Sequence, residues 1–86
     1  MGKINLIDLY DDAVNARIAA LREKTENFVE KEAIPALVEA AKNGEFSQTI
    51  QVPPGLVVED VMEMIIERVE YKKLTRSYRH LKYFWG

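Results

Sequence analysis

Apolar side chains recur at the helical period over the first half of the chain. Ile7, Val14, Leu21 and Phe28 stand seven residues apart, and Tyr10, Ile18 and Thr25 widen the stripe, while Arg17, Glu23, Lys24, Glu26 and Glu30 keep the far side polar. This predicts an amphipathic helix over about 6–43 with a coiled-coil-like seam. Asn5 suits the N-cap, Asp8 the N3 position, and Ile4 with Leu9 the two ends of a hydrophobic staple. Asn43-Gly44 closes the helix, because glycine takes the left-handed C′ conformation without steric cost. Inside it, Pro35 removes a hydrogen bond and disfavours helical geometry at Ile34, so a break is expected near residue 35. Unbroken, such a helix would measure roughly 55 Å at 1.5 Å per residue, against about 30 Å across for a compact domain of this length. Either its second half folds back, or a long arm packs against another copy.

From Phe46 to Val52 the pattern changes to alternation, with Phe46, Gln48, Ile50 and Val52 on one face and Ser47, Thr49 and Gln51 on the other. That is a half-buried strand over 46–52, ended by Pro53-Pro54 and turned by Gly55. A second helix follows over about 56–73, marked by Leu56, Val58, Val61, Met62, Ile65, Ile66 and Val69. Glu59 and Asp60 lie near its positive end. Val57 and Met64 make it apolar on more than one side, and Glu59, Glu63 and Glu67 line the opposite face. In the tail, Tyr71, Leu74, Tyr78, Leu81 and Trp85 have helical spacing, yet Leu81, Tyr83 and Trp85 alternate with His80, Lys82 and Phe84. Aromatic crowding and the need of the central strand for a mate favour a loop over 74–77 and a strand over about 78–85. A third helix is the other reading of the tail.

The whole is expected to be a single small α+β domain spanning residues 1–86: a long kinked N-terminal helix, a central strand, a second helix, and a C-terminal strand pairing antiparallel with the central one. The alternative is a mostly α chain whose strand pairs with another copy in an intermolecular two-stranded ribbon. Eighty-six residues give a thin core, and such chains often oligomerise. The absence of cysteine rules out disulfides and thiolate chemistry, and no long apolar run or leader pattern is visible, so a cytoplasmic protein without a membrane span is expected.

The net charge of −2 conceals a strong asymmetry. Residues 1–70 hold all 14 acids and seven bases, for −7, whereas residues 71–86 hold five bases and no acid, for +5. Lys72, Lys73, Arg76, Arg79 and Lys82 interleave with Tyr71, Tyr78, Tyr83, Phe84 and Trp85, the mixture of phosphate-neutralising and stacking groups that single-strand binders use. Lys72, Lys73, Arg76, Tyr78, Arg79, Lys82 and Trp85 are therefore the candidate interaction residues, and Ile7, Val14, Leu21 and Phe28 the candidate self-association seam.

Enzymatic signatures are missing. The single histidine, His80, sits beside Lys82 as a strand-face residue, Ser47 and Ser77 lack a nucleophile-elbow context, and four glycines form no phosphate loop. Asp8, Asp11 and Asp12 cluster on one helical turn, where the helix dipole explains them better than a cation does. No catalysis, metal or cofactor is expected.

Two resemblances add to this. TIQVP followed by an amphipathic helix looks like the strand-Pro-helix opening of ribbon-helix-helix DNA-binding proteins over residues 46–70, with Ser47, Thr49 and Gln51 where base-reading side chains would stand. It differs in having no Arg or Lys on that face and a long acidic helix ahead of it. Over most of its length, the order of long helix, NGEFSQTIQVPPGL, second helix and aromatic LKYFW end resembles small accessory proteins encoded by bacteriophages and prophages of Gram-positive bacteria. That resemblance implies an accessory or host-modulating role in the host cytoplasm and carries over no functional residues. The expected function is a non-enzymatic, homo-oligomerising module that binds a protein partner, with nucleic-acid binding by the basic aromatic tail as the alternative.

Overall fold

The computed structural model describes residues 2–86. Helix α1 (Leu6–Phe28) starts where Asn5 places its side-chain oxygen 3.1 Å from the Ile7 amide and 3.2 Å from the Asp8 amide, satisfying two orphan donors. One wide turn of π-helix (Val29–Ala33) leads without interruption into α2 (Ile34–Lys42). The expected break at Pro35 is thus replaced by a π turn. Pro35 cannot donate to the turn before it, and widening that turn sends the Ile34 amide to the Val29 carbonyl, five residues back, so the axis continues past the proline.

The same turn serves packing. Thr25, Val29, Ala33 and Leu37 are all buried at intervals of four residues, a spacing that drifts by about 40° per step on a regular α-helix. The wider turn brings them back to one line. At the far end, Gly44 (φ 83°) donates to Ala41 and Glu45 to Ala40, the paired bonds of a Schellman stop.

Three strands follow: β1 (Ser47–Gln51), β2 (Lys73–Ser77) and β3 (His80–Phe84), with α3 (Val58–Arg68) between β1 and β2. They form an antiparallel sheet in the order β1-β3-β2, so the C-terminal strand does pair with the central one, as Ile50 opposite Leu81 and Gln48 opposite Tyr83. That pairing lies within one chain and removes the intermolecular ribbon. The tail differs from expectation in having two strands. The second helix stops at Arg68 instead of near 73, because Val69 turns extended (φ −131°), and the expected loop over 74–77 belongs to β2, which pairs with β3. Tyr78 and Arg79 make a two-residue hairpin turn, Tyr78 adopting φ 55°.

Helices cover only one face of the sheet. Val29, Ala33 and Leu37 from the first helical run, Val58, Val61 and Ile65 from α3, and Ile50, Val52, Leu81 and Tyr83 from the sheet side form the core. This body is small, and α1 extends well beyond it: the molecule measures 68 × 22 × 19 Å, with a radius of gyration of 17.7 Å where a compact chain of this length has about 12 Å. Of the two outcomes expected for an over-long helix, folding back does not occur.

Leu81 is fully buried at the centre of the core, so Leu81→Ala is expected to cost about 2–5 kcal/mol, read as a lowered urea midpoint. Tyr83 gives a second test. Its hydroxyl donates to the Met62 carbonyl at 3.2 Å, and burial, with a smaller contribution from Tyr71, pushes its pKa up to about 12. The folded state holds this proton more tightly than the unfolded chain, so the associated stability is complete below pH 10 and is lost as pH rises from 10 towards 12. Denaturant titrations from pH 8 to 11 should show that decline, and Tyr83→Phe should flatten it.

Candidate interaction surfaces

Two surfaces stand out, one apolar on α1 and one polar on the sheet. Along α1 the seam changes character as it leaves the body. Phe28 packs against the core, Val14 and Leu21 are half-buried, and Ile7 is 72% exposed. Thr25 reaches full burial because its hydroxyl donates to the Leu21 carbonyl at 2.8 Å and needs no other partner. Beyond Leu21 the arm presents Ile18, Tyr10, Leu9 and Leu6 to solvent, the last at 73% exposure. Leu6 and Leu9 lie outside the heptad seam, so the apolar face is wider than the seven-residue spacing alone suggests.

The basic tail does not form a single surface. Arg76 points to the helix side of the sheet and bonds the Glu59 carboxylate at 2.8 Å, and that guanidinium holds the Glu59 carboxyl below its ordinary range. Arg79 folds back over the Pro53-Pro54-Gly55 turn, its guanidinium donating to the carbonyls of Val52 (3.1 Å), Pro53 (2.6 Å) and Leu56. These are carbonyls that no strand or helix partner reaches, so Arg79 is structural. Trp85 donates its indole N–H to the Glu45 carbonyl at 2.7 Å, and Tyr78 stands at the hairpin tip, 84% exposed.

What remains is the uncovered face of the sheet. Antiparallel register brings Lys82 between Thr49 and Thr75, Phe84 between Ser47 and Lys73, and His80 between Gln51 and Ser77. No acid lies among these nine positions, and Lys73 and Lys82 hold their ammonium groups 5.7 and 5.2 Å from the centre of the Phe84 ring. Lys72 immediately precedes β2, out of phase with Lys73, and is not one of the positions on this face. Ser47, Thr49 and Gln51 lie on this face beside β3 of the same chain.

Sequence interleaving groups the tail aromatics with the bases. The fold keeps Phe84 with Lys73 and Lys82 but separates three of the others from the bases. Tyr71, Tyr83 and Trp85 meet α2 on the helix side of the sheet. The available signal for Tyr83 and Trp85 is their alternation with Lys82 and Phe84, whereas Tyr71 and Glu70 join them only because α3 ends early.

No group of three or more His, Asp or Glu side chains among the described residues is placed to hold a metal, and no helix among them is long and apolar enough to cross a membrane. No protein family, curated protein or solved structure is found to match the chain.

These roles separate by mutation. Arg79→Ala should lower unfolding free energy by about 1–3 kcal/mol through orphaned carbonyls, whereas Lys82→Ala, on an open polar face, should leave the urea midpoint within error.

Proposed function

We propose that the chain is a non-enzymatic, self-associating interaction module whose contact between copies is the apolar face of α1. The observation that carries this reading is the projection of that face, with Leu6, Ile7, Leu9, Tyr10 and Ile18 exposed on one helix outside the body. A contiguous apolar surface of this kind marks an interface in a water-soluble chain. A second copy suits it as occupant. The seven-residue repeat of Ile7, Val14 and Leu21 is self-complementary. Charges along α1 also favour the antiparallel sense, since Asp8, Asp11 and Asp12 precede a stretch, residues 17–26, that carries a net +1 from Arg17, Arg22 and Lys24 against Glu23 and Glu26, and opposed arms set these near one another. A protein partner would then dock on the paired bodies, in keeping with the accessory role implied by the resemblance to phage-encoded proteins.

The acid-free outer sheet face supports a second reading, binding of the nucleic-acid backbone through Lys73 and Lys82. It predicts affinity that falls steeply with salt.

Light scattering after size exclusion, at low and high salt and with and without a short mixed-sequence DNA, tests both. A dimer or larger species at tens of micromolar, reduced to a monomer by Ile7→Asp with unchanged helicity of the body, is expected. A monomeric wild-type protein overturns self-association. Mass gained with DNA at low salt and lost at high salt, and abolished by changing Lys73 and Lys82 to Ala, would establish the second reading.

A further inference from the structure

On the helix side of the sheet, away from the arm, lies a cleft of about 290 Å³ between α2, the Val69–Tyr71 connection and the end of β3. Its walls are of two kinds. Leu37, Val38 and Ala41 supply an aliphatic side, and Tyr71, Tyr83 and Trp85 supply three aromatic rings. The only ionisable residue lining it besides the tyrosines is Glu70, an exposed acid at its edge. No Lys or Arg lines it, and the three ion pairs among the described residues engage Glu26, Glu30 and Glu59, leaving Glu70 without one.

The rings are held before any ligand arrives. The Trp85 indole N–H is anchored on the Glu45 carbonyl at 2.7 Å, and the Tyr83 hydroxyl on the Met62 carbonyl at 3.2 Å. Tyr71 stands edge to face with Tyr83, their centroids 5.6 Å apart and their planes at 87°. Tyr71 and Trp85 therefore border one space, with Tyr83 buried behind Tyr71. Aromatic faces carry negative quadrupole potential, so the space is electrostatically suited to a positive charge, and the Glu70 carboxylate adds to it.

We propose that this cleft binds an alkylated ammonium group, its methyl groups against Tyr71 and Trp85, with buried Tyr83 backing Tyr71, and its charge beside Glu70. The chemistry of the walls selects that class. A metal ion needs several oxygen ligands and finds one carboxylate. A bare ammonium would give up strongly held water and find too few acceptors for its three N–H groups. An alkylated ammonium has few or no N–H groups to satisfy, keeps its charge, and offers apolar surface to the rings and to Leu37, Val38 and Ala41. The volume accepts a trimethylammonium head but falls at the lower limit of pockets for drug-sized molecules. Val38 and Tyr71 are exposed at the mouth, so the head can belong to a free small amine or to a methylated lysine on a peptide. This site shares no residue with the arm contact, and its test is independent of oligomeric state.

Trp85 is the only tryptophan in the chain, so its emission reports on the cleft. The whole protein is titrated with tetramethylammonium, with choline, with the neutral isostere 3,3-dimethylbutanol, and with a short flexible peptide bearing one trimethyllysine. The expected result is a saturable shift of Trp85 emission with the cations, at affinity at least tenfold above that of the neutral isostere. Tyr71→Ala and Glu70→Gln should each weaken cation binding about fivefold or more, with the urea midpoint of Glu70→Gln unchanged. Tighter binding of the peptide than of choline assigns the group to a protein partner, and equal or weaker binding assigns it to a free amine. Absence of a saturable shift, equal binding of the neutral isostere, or undiminished binding by Glu70→Gln overturns the proposal.

Discussion

A β-strand cannot satisfy its own backbone, and this chain meets that constraint through β3. As the central strand it gives partners to β1 on one side and β2 on the other, so the two edge strands, distant in sequence, share one template. Its inward side chains, Leu81 and Tyr83, are also among the most deeply buried in the molecule. Helices α2 and α3 can cover the sheet only where these residues stand, and the Pro53-Pro54-Gly55 turn is held in place by Arg79, which enters β3. Hydrogen bonding, core packing and loop anchoring therefore converge on the last dozen residues. The body cannot be complete until the C-terminal strand is in place, which makes the fold dependent on contacts far apart along the chain.

Against that closed body, α1 is an extension. Only its last turns, through Leu21, Thr25 and Phe28, meet the body, where α1 shares a cleft with α3, and the turns before Ile18 project away from it. Isolated helices are marginal in water, and propensity alone does little to hold an arm of this length. The Asn5 cap and the continuous hydrogen-bond ladder through the π turn extend order outward from the body. The outermost turns nonetheless leave their apolar face in water, which is the physical reason to look for a second surface against it.

Much of the architecture was legible because it rests on local rules. The Asn5 cap, the Gly44 stop, the alternation through Ser47–Gln51 and the pairing of a C-terminal strand with it all follow from side-chain period and backbone chemistry. The hairpin was not legible, since its turn residues Tyr78 and Arg79 include no Gly or Asn, and Tyr78 takes a left-handed conformation that its type rarely adopts. Pro35 suggested a break because sequence alone does not show that a wider turn can carry the axis past it. The tail bases illustrate a deeper limit. Arg76 and Arg79 read as free cations in sequence, but their partners lie 17 and 23 to 27 residues away, and only the fold reveals that they are occupied. The same holds for Tyr71, whose neighbour Tyr83 is brought to it by the early end of α3.

The π turn at Val29–Ala33 has one more effect, on orientation. A turn of this kind contains one residue more than a regular turn, and each residue of a helix corresponds to about 100° of rotation about its axis. Residue count in this short segment therefore sets the azimuth of everything before it. With one residue fewer, the arm would keep its ladder and nearly its full reach, yet Leu6, Ile7, Leu9 and Tyr10 would point about a quarter-turn away from their present heading. The segment acts as an indexing joint, coupling the direction in which the arm meets a neighbour to a single residue in the body.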